Sequence, residues 1–168
     1  AKLNQTSHTI SQTRDWVIIV DNGYKIDMQE MATGERTAQT DQTEPVFLIR
    51  KSTLDTLPSG EGVDAKVFQI GPETMHFYAD YEDSHGVRVF FEHSTDSDIA
   101  FALRRNDKNL YGKAIDPIYA GMYGLALSPP KVTMMHFDPE SGKVKELASY
   151  GDASRYWNVQ TSGQDWSK

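Results

Sequence analysis

The sequence predicts a mainly β protein built as an antiparallel meander, and three observations carry that expectation. Short apolar runs rich in β-branched and aromatic residues recur with turn signals roughly every 8–12 residues. No long amphipathic helix pattern competes with them. No repeat of fixed period points to a propeller or solenoid. Two architectures fit. The first is a calycin-like β-barrel, whose closure removes exposed strand edges and leaves an interior able to hold a small ligand. The alternative is a two-sheet β-sandwich.

Taken in chain order, Lys2 to Thr13 is rich in Thr, Ser, Gln and Asn, with only Leu3 and Ile10 apolar. Residues 1–15 are therefore expected to be a polar N-terminal tether and residues 16–168 a single β domain. A lead of this kind is common ahead of exported domains, so an extracytoplasmic location, periplasmic or secreted, is expected ahead of a cytoplasmic one. The run from Trp16 to Val20 is short and β-branched, and Asp21-Asn22-Gly23 tolerates the positive φ of a tight hairpin turn. Tyr24 to Met31 alternates apolar with polar residues and is expected to return beside that first strand, ending at Thr33-Gly34.

Pro45 to Ile49 is a continuous apolar run too short for a helix, hence a central strand. Ser52, with Asp55 three residues on, suggests an N-cap for one helical turn that Pro58 stops. Strand character resumes from Val63 to Ile70. From Thr74 to Ser94 the pattern reads as a hairpin with Ser84-His85-Gly86 as its loop, pairing Tyr81 with Val89, Ala79 with Phe91 and Phe77 with His93. A slip of one residue would set Phe77 and Tyr81 opposite Glu92 and Arg88, so segregation of apolar residues onto one face selects this register. Ile99 to Arg105 fits a helix capped by Ser97 and Asp98 but also alternates at Ile99, Phe101 and Leu103, and strand is the favoured reading; Asn106 to Asn109 is turn chemistry, and Leu110 to Ile115 is expected to return as its partner. Val132 to Phe137 and Val144 to Tyr150 flank a longer loop and close the meander.

An apolar fraction of 38% with 24% charged residues supports a packed core and excludes a disordered composition. The net charge of -7 opposes phosphate backbones and anionic lipid, so nucleic-acid binding is not expected. No run approaches the ~20 apolar residues of a membrane-spanning helix. The absence of cysteine removes disulfides, thiolate nucleophiles and cysteine-based metal centres.

The chain carries no nucleophile elbow, phosphate loop, His-Glu-x-x-His or dinucleotide fingerprint. The most enzyme-like residues are His76, Tyr78, Asp80 and His93, which are of the types used for proton transfer or metal ligation. The hairpin register points His76 and His93 to opposite faces, so no metal site and no cofactor are expected. Asp80, Glu82, Asp83, Asp96 and Asp98 match no calcium loop and read as a solvated acidic face. The distinctive stretch is Tyr111-Gly112 through Tyr123-Gly124, where glycines admit close approach and tyrosines offer rigid amphipathic surface.

These residues favour a non-enzymatic binding module that holds a small apolar ligand or a protein partner, of inhibitor or immunity type. Its candidate contacts are Tyr111, Tyr119, Tyr123 and Arg104, with Tyr119 and Tyr123 placed on one face of a bent strand. The alternatives are a small β-barrel enzyme using His76, Tyr78 or His136 in acid–base chemistry, and a structural subunit whose edge strands pair between chains. Circular dichroism is expected to show a β-dominated spectrum. A helical fraction near the ~30–35% typical of globular domains would contradict the fold class.

Overall fold

The structure, a computed structural model, describes residues 3, 7–22, 28–36, 43–71, 74–93, 97–109, 111–127 and 131–151. Ten strands lie in two four-stranded antiparallel sheets and one two-stranded ribbon. The first sheet has the order β1 (Ile10–Gln12), β2 (Trp16–Val20), β3 (Glu44–Arg50), β4 (Lys66–Ile70). The second has the order β10 (Lys143–Gly151), β9 (Lys131–Asp138), β6 (Val87–His93), β5 (Thr74–Ala79). The ribbon pairs β7 (Ser97–Ala102) with β8 (Tyr123–Leu127). Among the described residues there are also two short α-helices, α1 (Met28–Thr33) and α2 (Lys51–Leu54), and a 3-10 turn at Pro117–Tyr119.

Period-two alternation builds the core. In the first sheet Trp16, Ile18 and Val20 face the same way as Val46, Leu48, Phe68 and Ile70, because the register sets Ile18 opposite Leu48 and Val46 opposite Phe68. The second sheet answers with Phe77, Ala79, Val87, Val89, Phe91, Met135 and Phe137. The two sets form one buried cluster, and the rings of Phe68 and Phe137 meet edge to face across it at 5.1 Å. Each such large side chain removed from water contributes about 1.5–3 kcal/mol. Among the described residues no strand ladder joins the two sheets into a closed barrel, an arrangement that fits the sandwich alternative.

Several expectations are corrected here. Met28–Thr33, read as the end of a return strand, is helical. Met, Gln, Glu and Ala are good helix formers, and Gly34, at φ 70°, donates its N–H to the Glu30 carbonyl to close the last turn. The rest of that expected strand, residues 24–27, lies outside the described residues, and β2 pairs instead with β1 and β3. Ile10–Gln12, within the polar lead, thus forms a strand. The helical turn near Ser52 is present, but it starts at Lys51 with Arg50 in the cap position and no side-chain cap. The β5–β6 hairpin pairs Phe77 with Phe91 and Ala79 with Val89, two residues from the expected register. A shift of two keeps every side chain on its face, so hydrophobic segregation cannot distinguish the two pairings. β7 pairs with β8, not with residues 110–115.

Polar ties close the poles of the two-sheet core. At one pole the buried Asp83 carboxylate accepts from the Thr13 hydroxyl (2.5 Å) and the Asp15 N–H (2.8 Å), while Arg14 lies 3.2 Å from its other oxygen. The Thr13 oxygen in turn accepts from the Trp16 N–H. At the other pole the Thr74 N–H donates to Glu44 at 2.8 Å, and the Asn22 side-chain amide donates to the Thr74 carbonyl.

Gly86 and Gly60 provide a paired test of the hairpin turn. Both have positive φ, 96° and 89°, but a Cβ at Gly60 meets nothing within 4 Å, whereas one at Gly86 falls 2.3 Å from His136 Nε2 and 2.9 Å from the Phe137 carbonyl oxygen. Gly60→Ala is expected to cost about 1–2 kcal/mol from backbone strain alone. Gly86→Ala is expected to cost at least ~1 kcal/mol more in chemical denaturation, because overpacking adds to the same strain.

Candidate functional site: an aromatic arm and a histidine relay

Residues 97–127 form an arm that begins with β7, loops through residues 103–122 and returns as β8. Local hydrogen bonds fix the loop. The Asn109 side-chain oxygen accepts from the N–H groups of Tyr111 and Lys113, both at 3.0 Å, and Gly112 closes the turn at φ 74°. Asp116 caps a 3-10 turn over Pro117–Tyr119 by accepting the Ile118 N–H. The backbones of Leu103 and Met122 bond across the base of the loop at 2.9 Å.

The arm is locked to α1 by two charged side chains. Glu30, fully buried, accepts the Ala102 N–H at 3.2 Å. Arg36 donates to the Ala102 carbonyl and forms a fork on Asp107, and that guanidinium holds the Asp107 carboxyl below the usual carboxylate range. The Tyr123 hydroxyl adds a bond to the Met31 carbonyl.

The arm therefore presents its aromatic residues from a fixed backbone. Tyr111 and Ile118 are each 74% exposed, and Tyr119, Met122 and Tyr123 are also exposed. Arg104, Arg105, Lys108 and Lys113 lie exposed on the same segment, against the carboxylates of Asp107 and Asp116. This segment is locally basic on a chain of net charge -7. Tyr119 ends the 3-10 turn and Tyr123 starts β8, so the two do not share a strand as the sequence spacing implied.

The outer face of the second sheet holds a different group. His76 Nδ1 lies 2.8 Å from Glu92 Oε2, and His76 Nε2 lies 3.2 Å from His8 Nε2. Glu92 is only 2% exposed although it belongs to the outer face of β6. His8 is held in place by its backbone N–H, which donates to Asn22 Oδ1 at 2.9 Å. Withdrawal of the ring from water, and then the neighbouring His76, keep His8 below the ordinary imidazole value.

The remaining sequence candidates stand elsewhere. His93 lies on the inner face, its two ring nitrogens 3.2 Å and 2.5 Å from the hydroxyls of Thr74 and Thr133. That is a buried imidazole satisfied on both sides. Tyr78 packs near Phe90, and burial followed by the Asp80 charge pushes its hydroxyl up. His136 pairs across the ladder with Arg88 and reaches the His85 carbonyl at 2.7 Å. Two strands across and four residues along from His76, it is separated by roughly 17 Å at about 3.4 Å per residue and about 4.8 Å per strand. His136 therefore does not meet His76, while Tyr78 follows His76 on the same face of β5, and among the described residues no three His, Asp or Glu side chains gather in metal-ligating geometry.

Two participants were not foreseen. His8 lies in the polar lead and has no local signal, and Glu92 reads as an ordinary solvent-facing strand residue. Asp83, expected on a solvated acidic face, is buried. Comparison with protein-family models, with curated proteins and with solved structures finds no match.

Exposure of the arm tyrosines sets a stability expectation. Tyr111→Ala and Tyr119→Ala should each unfold within about 0.5 kcal/mol of the parent, as surface substitutions do. Phe91→Ala, in the core, should lose about 3–5 kcal/mol in the same denaturant titration.

Proposed function

We propose that this protein is a non-enzymatic binding module whose arm engages a protein partner bearing an acidic surface with apolar residues. The observation that carries the reading is the exposure of Tyr111, Ile118, Tyr119, Met122 and Tyr123 on one hydrogen-bonded segment. Exposed aromatics on a pre-ordered backbone lose little entropy on association, which is how interface anchors obtain their affinity. The partner's acidity follows from Arg104, Arg105, Lys108 and Lys113, which would steer encounter with carboxylates. An apolar ligand held between the sheets is less well supported, since Phe68, Phe77, Phe91 and Phe137 occupy that space.

The Glu92–His76–His8 relay supports a second reading, an acid–base enzyme. A buried carboxylate on one imidazole nitrogen, with the other nitrogen turned outward, is an arrangement suited to proton transfer. It ranks below binding because His136 lies two strands across from the relay and bonds instead to the His85 carbonyl.

A photo-crosslinking residue at position 118 should capture the partner, and the affinity of that partner can then be measured directly. Tyr119→Ala and Arg104→Glu are each expected to weaken binding at least ten-fold, about 1.4 kcal/mol, without changing the melting temperature. Affinity should also fall as salt rises. If neither substitution changes the affinity of the captured protein, the arm is not the binding surface.

A further inference from the structure

The contact between His8 and His76 on the outer face of the second sheet lies within hydrogen-bond distance and also has the spacing of two ligands on one metal ion. Glu92 Oε2 sits 2.8 Å from His76 Nδ1, and a carboxylate there accepts a hydrogen bond from an N–H on that nitrogen. The neutral ring then carries its lone pair on Nε2, the nitrogen that faces His8. The His8 ring meets it nitrogen to nitrogen at 3.2 Å, with centroids 5.0 Å apart and planes tilted by 55°. Two imidazole nitrogens each ~2.0–2.1 Å from one ion at a near-tetrahedral angle lie about 3.3–3.4 Å apart, so an ion fits between these two with little movement. A carboxylate on the distal nitrogen of a metal-bound histidine is the usual orienting partner, since it fixes the tautomer and raises the basicity of the ligating nitrogen. Glu92 already occupies that place, 2% exposed and held against β5.

We propose that His8 and His76 form a two-imidazole site for an exchangeable divalent transition ion of the zinc and copper class, with Glu92 as the positioning residue for His76. Imidazole ligands suit these ions and disfavour calcium and magnesium, which take oxygen. His8 is exposed and His76 partly so, which leaves room for water, or a donor from a partner, in the remaining coordination positions. The ion bridges the segment before β1 to β5, so binding ties the polar lead of the chain to the second sheet.

Calorimetric titration of the full chain with Zn(II) at neutral pH tests this. One ion per chain is expected, with Cu(II) bound more tightly than Zn(II) in accord with the usual stability order. His8→Ala, at an exposed position, should weaken Zn(II) binding at least ten-fold while melting with the parent, and His76→Ala should weaken it as much but melt lower, because it takes the imidazole away from the buried Glu92 carboxylate. Glu92→Gln should weaken binding by about ten-fold with the stoichiometry unchanged, and the Cu(II) spectrum should still report two nitrogen ligands, because the positioning residue is altered and the ligands are kept. His85→Ala, an exposed histidine outside the pair, should bind as the parent does. Zinc affinity weaker than about 1 mM in the parent, or binding unchanged in His8→Ala, overturns the proposal.

Discussion

Glu30, Glu44 and Asp83 are withdrawn from water, and each accepts a backbone N–H from a different element: Ala102 of β7, Thr74 of β5 and Asp15 in the turn before β2. A buried carboxylate without such a partner costs several kcal/mol, so each of these acids is stable only when its two elements are docked. The constraint is directional where hydrophobic burial is not. The phenylalanines of the two sheets would tolerate small slides past one another, but a carboxylate that must meet one particular N–H does not. Asp83 and Glu44 tie the first sheet to the second at opposite poles, and Glu30 ties α1 to the arm.

The arm depends on this arrangement for its form. β7 and β8 make a two-stranded ribbon, which is marginal in water without further support. Glu30 and Arg36 take both backbone groups of Ala102, the N–H and the carbonyl, at the base of that ribbon. The loop beyond it is then held by Asn109 and Asp116, so Tyr111 and Tyr119 stand in water on an ordered backbone. An aromatic residue kept exposed in this way is a feature of recognition surfaces more than of cores.

The histidine relay illustrates how little of a polar site is legible locally. Reading the β5–β6 hairpin from its apolar residues correctly separated His76 from His93 by face, because the alternation of a strand is rigid. The same reading could not find His8, which is 68 residues from His76 and whose backbone is bonded to Asn22. Nor could it find that Glu92, on the outer face of its strand, is buried.

The sequence by itself determined the β class, the positions of most strands and the faces their side chains occupy, because these follow from period-two alternation and from turn residues within a few positions. It also singled out the Tyr-Gly stretch, through the unusual density of rigid aromatics beside glycine. Tertiary structure alone decided which strands pair, the two-residue difference in the hairpin register, the helical fate of Met28–Thr33, and, among the described residues, two four-stranded sheets with no ladder between them. It also decided which acids are buried and which histidines meet. Those outcomes rest on contacts between residues far apart in the chain, where hydrophobic pattern is degenerate and only the satisfaction of particular donors and acceptors separates one arrangement from another.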